Sequence, residues 1–121
     1  MERHIIAVVD DLFFASKIRG TAEELGVTVA FARNLDVIAD AARRDQPSLI
    51  ICDLHSRNVD PMELAKQLKA DAQLGSIRLF GFFSHVQIEL QRQAEAAGFD
   101  RVMPRSAFTK QLSRILTGDD F

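Results

Sequence analysis

The chain has 121 residues, 47% of them apolar and 26% charged, with 15 basic against 17 acidic side chains and a net charge of −2. That length sets one domain, residues 1–121, with enough chain for a core built without disulfides. The well-mixed charge excludes a nucleic-acid patch or a membrane-surface helix as the main device. The single cysteine, Cys52, cannot form an internal disulfide and suits a reducing compartment. It lies inside an apolar run and reads as a small buried hydrophobe. No apolar run reaches the length of a membrane span and no signal peptide precedes Ile5, so the expected location is cytoplasmic, without a membrane or nucleic acid as direct partner.

Ile5-Ile6-Ala7-Val8-Val9 is a short apolar run ending in Asp10-Asp11, and predicts a buried strand. From Leu12 to Leu25 the period changes: Ile18, Ala22 and Leu25 share one face of a helix, which Gly26 terminates. Val27–Phe31 is β-rich. Asn34 is positioned to cap a helix with the stripe Leu35, Ile38, Ala39 and Ala42, and Arg43-Arg44 suit its last turn. Leu49-Ile50-Ile51-Cys52 then runs unbroken into Asp53, as in a strand covered on both faces. Asp60 and Pro61 open a third helix, with Glu63 at the capping-box position, Leu64, Ala65 and Leu68 as its stripe, and Gly75 as its end.

Ile77–Phe83 predicts a fourth strand ending in Ser84-His85. Val86, Leu90, Ala94 and Ala97 follow at helical spacing up to Gly98, and Ser84 with Gln87 forms a capping-box pattern. Asp100–Met103 predicts a fifth strand. Ser106 is positioned to cap a final helix with the face Phe108, Leu112, Ile115 and Leu116, after which Gly118–Phe121 frays. Strands and helices thus alternate five times, which implies an α/β fold with a parallel sheet between two helical layers.

Ligands of such sheets bind beyond the carboxyl ends of the strands. Asp10 and Asp11 reach that rim from the first strand, Asp53 from the third, Ser84 from the fourth and Arg105 from just past the fifth. Each has a plain alternative: Asp10 or Asp11 as a helix cap, Ser84 in its capping box, Arg105 as a surface cation. Their joint arrival from distant stretches points to a site.

With these residues in view, the sequence resembles the response-regulator receiver domain, the phospho-accepting module of two-component signalling. The resemblance runs through Val8-Val9-Asp10-Asp11, Leu49–Asp53, Phe83-Ser84, Ala97-Gly98-Phe99-Asp100 and the Arg105 region, nearly the whole chain. It implies a flavodoxin-like fold with strand order 2-1-3-4-5. It implies that Asp53 is the phosphoacceptor and that Mg2+ is held by Asp10, Asp11, Asp53 and the backbone carbonyl of His55. Ser84 and Arg105 would contact the phosphoryl group. A sensor histidine kinase or phosphotransfer protein would be the donor, a further protein would take the signal onward, and the chain would be a signalling module rather than an enzyme. The chemistry is consistent: a carboxylate can form an acyl phosphate, and the crowded anionic charge must be neutralised.

The chain also departs from the family pattern. Arg105 stands in place of a lysine, which keeps the charge but exchanges a compact ammonium for a planar fork of donors. Pro104 precedes that cation and Ser106 follows it, whereas the family's proline follows the lysine. His85 replaces a small residue after the hydroxyl, and Val102 replaces the aromatic on the fifth strand, so both switch positions diverge. The loop after Asp53 carries Arg57 and Pro61 where proline and glycine are usual. With no ring to swing at Val102, the expected exit route for a signal is the Ser84–Gln87 turn, with His85 reorienting. The alternative reading is a pseudo-receiver, an interaction module not switched by phosphorylation. A flavin binder or phosphatase on the same fold fits less well, because no glycine-rich loop follows the first strand and tryptophan and tyrosine are absent.

Overall fold

The structure is a computed structural model describing residues 3–84 and 87–119. The elements run β1 (His4–Val8), α1 (Leu12–Leu25), β2 (Thr28–Phe31), α2 (Leu35–Asp45), β3 (Leu49–Asp53), α3 (Pro61–Ala70), β4 (Arg78–Phe83), α4 (Ile88–Ala97), β5 (Arg101–Pro104), α5 (Arg105–Lys110) and α6 (Leu112–Thr117). All strand pairs are parallel, in the order β2-β1-β3-β4-β5. This is the architecture and strand order expected from the sequence.

The apolar runs divide between two cores by strand alternation. Ile5, Ala7, Leu49, Ile51, Phe80 and Phe82 face α1, α5 and α6. Ile6, Val8, Ile50, Cys52 and Leu79 face α2, α3 and α4. Every residue of β3 is buried, because helices cover the sheet on both sides. Cys52 belongs to this interior as expected; burial pushes its thiol far above the ordinary range, so it stays protonated. The chain reverses direction across the sheet between β1 and β3. Their register pairs Val8 with Cys52, so Asp10-Asp11 and Asp53 leave the sheet at one edge, beside this switch point.

Capping follows the sequence in the first half of the chain. Asn34 accepts from the Val37 amide, and Asp60 accepts from Met62 and Glu63 ahead of Pro61. Gly26 closes α1 in the left-handed region at φ 71°.

Later boundaries differ from expectation. α3 ends at Ala70, not at Gly75: Asp71 leaves the helix and accepts from the Gln73 amide at 2.8 Å, opening a turn that buries Leu74. α4 begins only at Ile88, capped by the backbone of Gln87 without a side-chain bond, so Ser84 lies too early to complete its capping box. Val86 of the expected stripe and the tail residues Asp120 and Phe121 lie outside the described residues.

Ser106 caps nothing, because the helix starts at Arg105, directly from the extended backbone of Pro104. The expected final helix is divided at Gln111. Two residues earlier, the Thr109 hydroxyl donates to the Arg105 carbonyl at 2.8 Å, a back-bond that bends helices. Phe108, Leu112, Ile115 and Leu116 remain buried across the break, as their spacing predicted. Leu25 proves partly exposed, and the buried stripe of α1 is Phe14, Ala15, Ile18 and Ala22.

Two glycines make a paired test. Gly98 ends α4 at φ 123°, and a Cβ there would lie 2.8 Å from Lys69 Cγ. Gly98→Ala is expected to destabilise by about 1–3 kcal/mol through backbone strain and this clash. Gly20 is an exposed residue within α1 with nothing within 4 Å of its would-be Cβ. Gly20→Ala should stabilise by roughly 0.5–1 kcal/mol. Urea unfolding of both variants checks the two signs.

Candidate functional site

Asp53 is the last residue of β3 and is only 8% exposed. The chain turns tightly behind it: Asp53 Oδ1 accepts from the His55 amide at 2.8 Å, and its carbonyl accepts from the Ser56 amide at 3.0 Å. Burial pushes the carboxyl above the usual range. The His55 amide and ring act against that shift, the Asp10 charge adds to it, and the Arg105 charge opposes it.

The sign for stability follows. Between the ordinary carboxylate pKa and the raised one, folded Asp53 binds more proton than the unfolded chain does, so its contribution falls as pH rises through that window. Asp53→Asn, which retains an acceptor for the His55 amide, is therefore expected to match or exceed the wild-type melting temperature at pH 7. The gap should close as pH falls below the ordinary aspartate range, and thermal melts at several pH values check it.

Asp10 is half-buried and holds the loop after β3. Its oxygens accept from the Ser56 hydroxyl (3.1 and 3.2 Å), the Arg57 amide (2.7 Å) and the Asn58 side-chain amide (3.2 Å). The Ser56 hydroxyl also accepts from the Val59 amide at 3.3 Å. The sequence reading assigned no role to Ser56 or Asn58. Their one signal was two small hydrogen-bonding residues three and five positions after the strand-end aspartate.

Asp11 does two things at once. Oδ1 caps α1 through the amides of Phe13 (2.9 Å) and Phe14 (3.2 Å). Oδ2 accepts from Arg105 Nη2 at 2.8 Å. The plain reading of Asp11 as a cap holds, and Asp11 also pairs with Arg105 from the far end of the chain. The Arg105 guanidinium, then the Phe14 amide, keep the Asp11 carboxyl below the usual range. Its stabilising contribution is thus present above the unfolded pKa and is lost as pH falls through the folded one.

Arg105 is fixed from a second side. Its guanidinium carbon lies 4.1 Å from the centroid of the Phe14 ring, a cation–π contact. Phe14 in turn meets Phe82 edge-on at 5.0 Å, and Phe82 stacks on Phe108 at 4.9 Å. The cation therefore rests on the aromatic floor of one core.

The remaining predicted positions are less engaged. Ser84 is exposed just past β4. Val102 is half-buried on β5, opposite Gly81 in register, and packs against the core on the α4 side. A side chain at Gly81 would strike Leu54 at 2.9 Å and Phe99 at 3.0 Å, so the space beside Val102 is filled by these two side chains. His85 lies outside the described residues.

One surface feature was missed. Leu12 and Phe13, directly after the acidic pair, are 71% and 90% exposed and form an apolar lip at the start of α1. The signal was there: two consecutive apolar residues falling off the Ile18–Ala22 face.

The magnesium implied by the family resemblance needs free carboxylate oxygens pointing to one place. Here both oxygens of Asp10 and of Asp11 are already engaged, one set by the loop and the other by the α1 amides and Arg105. Among the described residues, no group of three or more His, Cys, Asp or Glu side chains is arranged to hold a metal ion. The donor chemistry suits magnesium; the arrangement does not fit it.

No protein-family model and no curated protein matches the chain. Solved structures do. A chemotaxis response regulator of Vibrio cholerae superposes with a TM-score of 0.82 at 16% identity, covering 98% of both chains. The phosphorylated cyanobacterial phytochrome response regulator RcpA gives 0.79 at 20% identity, covering 99% of this chain and 92% of its own. The signal receiver domain of a histidine kinase from Syntrophus aciditrophicus gives 0.77 at 21% identity, covering 96% and 91%. At these identities the likeness establishes the fold. No helix among the described residues is long and apolar enough to cross a membrane.

Proposed function

We propose that this chain, which has the fold of response-regulator receiver domains, works as one: a module of two-component phosphorelay signalling that accepts a phosphoryl group on Asp53. One observation carries the reading. Among the described residues Asp53 is the one buried polar or charged side chain, and it sits at the open end of the central strand. A desolvated carboxylate held at a sheet rim is a functional-site signature.

In the step proposed, an ionised Asp53 oxygen attacks the phosphorus of a phosphohistidine on a sensor kinase or phosphotransfer protein. The phosphorus–nitrogen bond breaks, and its electron pair stays with the imidazole. Asp53 must be deprotonated to attack, so its raised pKa predicts a rate that falls with dropping pH sooner than an ordinary aspartate would give. Arg105 brings a positive charge to the same rim, where it pairs with Asp11, and its fork of donors suits phosphoryl oxygens as well as carboxylate. Ser84 is the hydroxyl at the neighbouring strand end. The exposed Leu12-Phe13 lip offers apolar area beside the site for a partner protein.

A second reading, an interaction module that is not phosphorylated, is favoured by the engagement of both Asp10 and Asp11 within the fold. Intact mass after incubation with acetyl phosphate separates the two. A gain of one phosphoryl group supports the receiver reading. No gain, from acetyl phosphate or from a phosphorylated kinase domain, supports the interaction module.

A further inference from the structure

We propose that Arg105 is this rim's built-in cation: it occupies Asp11 in place of a divalent metal, so the resting protein closes its acidic pair with its own guanidinium and does not bind magnesium there. The inference deepens the reading of the Asp53 rim and is tested without any phosphodonor, so the two stand or fall separately.

Three independent contacts carry it. Arg105 Nη2 meets Asp11 Oδ2 at 2.8 Å, and the other oxygen of Asp11 is held by two amides of α1. A metal at Asp11 would therefore have to sit directly beside the guanidinium charge, displace the arginine or uncap the helix. The arginine is not a loose surface charge: its guanidinium carbon lies 4.1 Å from the centre of the Phe14 ring, and its side chain is 32% exposed. It also starts α5, so its backbone is fixed by the helix it opens.

Asp10 closes the other half. Three donors from the loop after β3 engage both its oxygens. A lysine at position 105 would act differently. An ammonium is a compact, strongly hydrated point charge that can withdraw into water, whereas the planar fork keeps its partner through directed bonds and the ring beneath it.

The test is paramagnetic broadening of backbone amide signals by Mn2+, with competition by millimolar Mg2+, on the whole chain. In the wild type, the amides of Asp11 to Phe14 and of Asp53 to Arg57 should show no Mg2+-competed broadening. Arg105→Gln removes the charge and keeps side-chain polarity. It should gain broadening at both stretches, with affinity higher by about tenfold or more, as expected for removing a cation from beside a carboxylate. Adding Asp11→Asn to that variant should abolish the gain. Rim binding in the wild type as tight as in Arg105→Gln overturns the proposal. The wild-type measurement alone also decides it: saturable, Mg2+-competed broadening at both stretches sinks the idea even if the variant does not fold.

Discussion

Phe82→Ala is expected to lower stability by about 3–5 kcal/mol, the usual cost of deleting a fully buried ring from a close-packed core. Phe82 is wholly inaccessible and touches Phe14 edge-on at 5.0 Å and Phe108 face-on at 4.9 Å. Its position on β4 is opposite Asp53 in one register and Met103 in the other, so little backbone movement can refill the space. Against a typical total of about 5–15 kcal/mol, that loss brings the domain near unfolding. The effect reaches the site as well, because Phe14, which rests on Phe82, is the surface beneath Arg105. Phe82→Leu should cost less and serves as the graded variant. Urea unfolding checks both: the midpoint should fall in the order wild type, Leu, Ala, with the slope unchanged. A loss below about 1 kcal/mol for Ala would mean the aromatic floor is not the support described here.

The fold was legible because its signals are local and repeated. Unbroken apolar runs at Ile5–Val9 and Leu49–Cys52 can be buried on both faces only in a parallel sheet under helices. Gly26, Asn34 and the Asp60-Pro61 pair carry their structural meaning in single residues. The boundaries that went astray depend on longer-range choices. Asp71 leaves α3 early because it turns to accept from Gln73 and to meet Arg43 at 2.7 Å, a partner distant in sequence. Ser84 matched a capping box by spacing, but nothing in the spacing fixes where α4 begins, and its N-cap is Gln87.

The site was legible as a set of residues and not as a set of contacts. The sequence placed Asp10, Asp11, Asp53, Ser84 and Arg105 on one rim, and parallel topology alone requires that. It could not tell that Asp11 caps a helix with one oxygen and pairs with Arg105 through the other. Nor could it tell that Ser56, Arg57 and Asn58 close around Asp10, because those bonds span more than forty residues of chain. The family resemblance implied a magnesium site at these carboxylates; the hydrogen bonds within the fold engage Asp10 and Asp11 differently.

Asp53→Asn is expected to remove phosphoryl labelling completely. The amide is nearly isosteric with the carboxylate and keeps an oxygen for the His55 amide, so the turn behind it is preserved. It lacks the anionic oxygen that attacks phosphorus, and no neighbouring carboxylate replaces it: Asp10 is bound by three donors and Asp11 by Arg105 and α1. Loss of labelling with an undiminished melting temperature would separate a chemical role from a structural one. Retained labelling would move the acceptor elsewhere.

The most direct measurement locates the bond itself. An acyl phosphate is reduced by borohydride to an alcohol, which converts the modified aspartate to homoserine, and peptide mass mapping then reads the position. After incubation with a phosphodonor, the account predicts homoserine at position 53 and at no other aspartate. Homoserine at position 10 or 11, or none anywhere despite a competent phosphorylated kinase, would contradict it.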